Sequence, residues 1–114
     1  MTARCDINGT YDLLRDSAAR HRERDALVFV PKGSADESPV VYSYTDLLRR
    51  VTRAANLFHR LGVGQTDVVA YVLSNVPQAY FTLLGAEAAG IACAINPLLE
   101  PQHMVDILCE ARAK

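Results

Sequence analysis

The side chains that could do chemistry in this sequence gather where apolar runs end. Ser74 and Asn75 follow DVVAYVL (67–73), and Asn96 follows IACAI (91–95). Small polar side chains at the carboxyl ends of strands are where α/β proteins hold ligands. The same residues have a plainer role open to them. Ser and Asn cap helices, Pro77 is suited to a first helical turn, and Asn96-Pro97 can start a turn. GVGQTD (62–67) has the look of a nucleotide-binding glycine loop, but it lacks GxGxxG and precedes the apolar run instead of following it. It reads as a helix C-cap and turn.

The remaining reactive residues do not cluster. His21, His59 and His103 are dispersed on helical segments with no partner at ligand spacing. Cys5, Cys93 and Cys109 are odd in number, far apart and without CxxC spacing, so neither a disulfide framework nor a zinc site is expected. Reduced thiols and a cytoplasmic location follow, with Cys93 a small core residue of an apolar strand. Arg15, Arg20, Arg22 and Arg24 are interleaved with Asp16, Glu23 and Asp25, the pattern of a solvated face. Twelve basic residues against thirteen acidic ones give no footprint for nucleic acid or an anionic membrane. No run reaches the eighteen or so apolar residues of a membrane span, and MTARCDINGTYDLLRD has no apolar core of signal-peptide length.

The elements that would position these residues can be read from periodicity. Thr10 is placed to cap a short helix to about His21, with Tyr11, Leu14 and Ala18 on one side. ALVFV (26–30) and VVYSY (40–44) read as the strands of a hairpin whose long polar loop leaves Lys32, Asp36 and Glu37 in solvent. Thr45 is the expected cap of a second helix, with Leu47, Leu48, Val51, Ala54, Ala55, Phe58 and Leu61 in one apolar stripe and Gly62 at a left-handed C′ position. Residues 67–73 and 91–95 lack alternation, the pattern of parallel strands covered on both faces. The helix between them, stopped by Gly90, has few polar residues. Glu87 falls within its Val76, Tyr80 and Leu83 arc, where an unpaired carboxylate would be costly unless it reached solvent or a donor. EPQHMVDILCEARAK resumes helical spacing through Met104, Ile107 and Leu108.

Residues 67–95 have the length of a right-handed βαβ crossover. The expected fold class is α/β, a β-hairpin followed by βαβ crossover units. A helix so poor in polar residues, beside strands with no solvent face, belongs in a layered protein larger than these residues can build. No further strand is evident to receive the last helix, so the sequence reads as truncated after Lys114.

YSYTDL (42–47) resembles the first core motif of the adenylate-forming enzymes, an aromatic-bearing strand leading into a Leu-containing helix. LLGAEAAGIACAINP (83–97) resembles their second, a Leu-rich helix, an Ala-Gly stop and a short strand closing on Pro. The resemblance covers about residues 40 to 114, and the ending INPLLEP is more similar to the acyl-CoA synthetase branch than to peptide-synthetase adenylation domains. It implies that residues 1–114 are a partial N-terminal AMP-binding domain. It also implies ATP, Mg2+ and coenzyme A as cofactors of a parent enzyme that activates a small carboxylic acid as an acyl adenylate and passes it to the thiol. The family's Ser/Thr/Gly-rich phosphate loop, ribose-gripping acidic residue and C-terminal Lys do not occur here, so no residue is given a catalytic, cofactor-binding or metal role. The segment alone is expected to be inactive and to bind none of the cofactors. Its expected partner is the rest of the same chain, with self-association through exposed apolar surface. The alternative is a self-contained α/β binding or signalling domain of flavodoxin-like size.

Overall fold

The computed structural model describes residues 8–114. Cys5 and the rest of the first seven residues lie outside it. The order is α1 (Thr10–His21), β1 (Asp25–Phe29), β2 (Val40–Ser43), α2 (Tyr44–Arg60), β3 (Val68–Val72), α3 (Pro77–Ala89), β4 (Ile91–Ile95) and α4 (Pro101–Ala111). β1 and β2 form an antiparallel hairpin pairing Leu27 with Tyr42 and Val28 with Val41. β3 and β4 are parallel neighbours from Val68–Ile91 to Val72–Ile95, as the crossover spacing predicts. The hairpin and the parallel pair are separate two-stranded sheets. Both match the predicted α/β class.

Leu14, Leu47 and Val51 form the buried centre, with Tyr11, Phe81 and Leu84 packed around it. Thr52 Oγ1 donates to the Leu48 carbonyl at 2.7 Å, which leaves its lone pairs to accept from the Tyr11 hydroxyl at 2.9 Å. That chain of bonds ties α1 to α2. Tyr42 meets the Phe81 ring edge-on at a centroid distance of 5.2 Å, fixing the hairpin against α3.

Several local devices differ from those the sequence suggests. Ser43, not Thr45, caps α2. Its hydroxyl accepts from the Asp46 N–H at 3.1 Å, while the Thr45 hydroxyl donates to the Arg22 carbonyl at 3.3 Å. Thr10 is the first residue of α1 and Gly9 is its cap. Glu37 folds back into the hairpin loop, accepting from the Lys32 and Ser34 N–H groups at 2.7 and 3.2 Å, so the loop is held by a carboxylate. The α2 terminus is as expected. Gly62 at φ +87° supports a Schellman motif, with the Gly62 N–H on His59 O and the Val63 N–H on Phe58 O, both 3.0 Å. Leu61, last in the predicted stripe, is 66% exposed beside that turn.

Helix α3 sits against α2 through small residues. A Cβ on Gly85 would lie 2.6 Å from Ala54 Cβ and 3.1 Å from the Ala55 nitrogen, so only glycine permits this approach. Gly85, Ala86 and Ala89 are buried there. Gly90 ends α3 for a related reason. Its backbone is extended, not left-handed, but a Cβ would strike the Asp67 and Gly64 carbonyl oxygens at 2.6 and 2.7 Å. Glu87 avoids the cost of burial because its side of α3 is exposed. Helix α4 has no buried residue, and Val105 and Leu108 are 49% and 37% exposed. Beyond α4 the backbone returns to β3: Ala113 bridges Val68 in parallel and the Lys114 N–H donates to Val68 O at 2.8 Å. This is an isolated bridge, and no further strand follows α4 among the described residues.

Candidate functional site

The parallel pair carries both Ser74 and Asn75 to its carboxyl end, and there they line an open crevice of about 270 Å³. Tyr71 and Leu73 come from β3 and the residue after it, Ala94 and Ile95 from β4, and Tyr80 and Leu83 from α3. The crevice exists because a parallel crossover sends the chain from the end of β3 over the sheet and back, leaving a gap above the strand ends.

Neither Ser74 nor Asn75 caps α3, which corrects the plainer reading. The N-cap is Val76, with no side-chain bond to the helix N-terminus, and Pro77 fills the first turn. Asn75 Oδ1 instead accepts a long contact from the Tyr80 hydroxyl at 3.5 Å. Asn96 is not part of the crevice. Its Oδ1 accepts from the Leu98 N–H at 2.9 Å, an Asx turn that reverses the chain after β4.

Tyr71 and Tyr80, which sequence reasoning did not single out, are the crevice's other polar groups. The signal was available: Tyr71 is the one residue with a polar tip in an otherwise aliphatic strand, and Tyr80 lies in the first turn of the helix that follows Ser74. Burial, with the charges of Glu87 and Cys93 added, pushes the Tyr71 hydroxyl above its ordinary value, so it stays a neutral donor across the physiological range. Ser74 and Asn75 with two phenols suit hydroxyl, amide or carbonyl groups. No lysine or arginine lines the crevice. It does not fit a triphosphate, which needs cationic donors.

The other candidates stay apart. His21 lies at 5.5 Å from the Tyr44 ring, and His59 and His103 are exposed on α2 and α4. Cys93 is partly buried in β4 and Cys109 exposed on α4, and both are free thiols. Arg15 pairs with Asp12 and Arg20 with Asp16, each at 3.1 Å. Among the described residues no group of three His, Cys, Asp or Glu could hold a metal ion, and no helix is long and apolar enough to cross a membrane. GVGQTD is a turn: Asp67 Oδ2 accepts from the Gly64 N–H at 2.7 Å and from Lys114 Nζ at 3.0 Å. These bonds hold the Asp67 carboxyl below its ordinary value, the Gly64 N–H contributing most.

Residues 14–114 match the model of the AMP-binding enzyme family. The chain is 37% identical over 101 residues to a marinolic acid–CoA ligase of Pseudoalteromonas sp., covering 89% of this chain and 15% of the ligase. It is 34% identical over 110 residues to the nonribosomal peptide synthetase sidC of Arthroderma benhamiae, covering 96% of this chain and 2% of the synthetase. Its backbone superposes on the Klebsiella oxytoca NpsA N-terminal subdomain with a TM-score of 0.78 at 18% identity, over 95% of this chain and 26% of that one. The chain thus spans a small fraction of the proteins it matches, and its fold is an incomplete portion of theirs. On this sequence match across nearly all of its length, the chain belongs to the family of AMP-binding enzymes.

Proposed function

We propose that the chain is the N-terminal scaffold of an ATP-dependent acyl-CoA ligase acting in the cytoplasm. The observation that carries this is the 37% identity to a CoA ligase across 89% of the chain. In the proposed reaction a substrate carboxylate oxygen attacks the α-phosphorus of ATP and pyrophosphate leaves. The coenzyme A sulfur then attacks the acyl carbon and AMP leaves, with Mg2+ offsetting phosphate charge in the parent enzyme. The residues described here contribute no step. Their role is to hold β3, β4 and α3 as a platform, and the acid, ATP and coenzyme A are taken up by a site completed elsewhere.

The test has two parts. Purified residues 1–114 are expected to show no carboxylate-dependent exchange of pyrophosphate into ATP and no millimolar or tighter calorimetric site for Mg-ATP. The reading frame is expected to continue past Lys114 into a Ser/Thr/Gly-rich phosphate loop, and its full product to form acyl thioesters. Exchange by residues 1–114 above a no-enzyme control overturns the scaffold role. Saturable Mg-ATP binding favours a self-contained binding domain, and a full product that makes adenylates but no thioester is a peptide-synthetase domain instead.

A further inference from the structure

We draw no further inference here: the strongest candidate, the apolar groove of about 310 Å³ between the end of α2 and β3, lined by Phe58, Leu61, Val63, Val68 and Lys114, is an unpartnered face of a chain that spans a small fraction of the proteins it matches, and nothing in the structure shows what covers it.

Discussion

Helix α2 turns Leu47, Val51 and Ala55 inward and Arg49, Arg50 and Arg53 outward, while α3, packed directly against it, has no polar face to turn anywhere. The buried side of α3 is made of Pro77, Gly85, Ala86 and Ala89, and its larger side chains are only partly covered, Tyr80 being 42% exposed. The same division holds around them. The first half buries Leu14, Leu47 and Val51 in one cluster, whereas α4 buries nothing and Val72, Ile91 and Leu98 are 42%, 47% and 89% exposed. An amphipathic helix needs one neighbouring layer, and an apolar helix needs two. Helix α2 has the layer it needs, although the hairpin beside it leaves Val28, Val40 and Val41 51%, 42% and 42% exposed. Helices α3 and α4 present apolar surface of the kind that a further layer covers in larger α/β proteins.

The largest way to break this comparison is in the core. Leu47 is 8% exposed and belongs to the central cluster, so Leu47→Ala is expected to cost about 2–5 kcal/mol by urea unfolding. Leu98→Ala, at 89% exposure, is expected to stay within about 0.5 kcal/mol. If the two costs were equal, stability would not be concentrated in the first half. Leu83 is intermediate, lining the crevice with one side free, so Leu83→Ala in this chain should fall between them and approach the full cost of a buried leucine only when another layer covers it.

The division was legible in the sequence because it is written in periodicity. Leu47, Val51 and Ala55 repeat at helical spacing with arginines between them, and residues 77–89 hold no such alternation. What was not legible were interactions decided by geometry at one or two atoms. Ser43 and Thr45 are both good caps, and which hydroxyl meets the first turn depends on where the hairpin releases the chain. Gly90 reads as a helix stop, yet its constraint is two carbonyl oxygens of the α2–β3 turn. The crevice was located in part: the strand ends pointed to Ser74 and Asn75, but the tyrosines came from the folding of α3 over β3, and Asn96 was taken by its own turn.

The next expected effect is on association. Ile91, Val72, Val105 and Leu108 are each more than a third exposed, and contiguous apolar surface beyond a few hundred square ångströms is rare on monomers. The chain is expected to self-associate in sedimentation or to bind a hydrophobic dye strongly, and Val105→Lys with Leu108→Lys should reduce both with little change in Tm. A monomeric, dye-silent and cooperatively unfolding chain would remove the contrast between the halves.

The smallest effect tests the join between them. Asp67 lies on the turn from α2 into β3, where it accepts from the Gly64 N–H and pairs with Lys114, whose Nζ also donates to Gly62 O at 2.8 Å. Its carboxyl is held below the ordinary value of 3.8, so the charged form is favoured by the fold. For such a group the stabilisation is fully present above the unfolded value and is lost as pH falls through the lower folded value. Asp67→Asn keeps an oxygen for Gly64 but no charge for Lys114. It is expected to lower Tm slightly at neutral pH, by an amount that shrinks in high salt because the pair is exposed. Measured against pH, the difference between the two proteins should persist down to about pH 4 and close only below 3.8, where Asp67 is protonated and becomes as neutral as the Asn that replaces it. A difference unchanged at pH 2 would mean that the turn is held by shape alone. One that closed near pH 6 would place the responsible titration elsewhere than on Asp67.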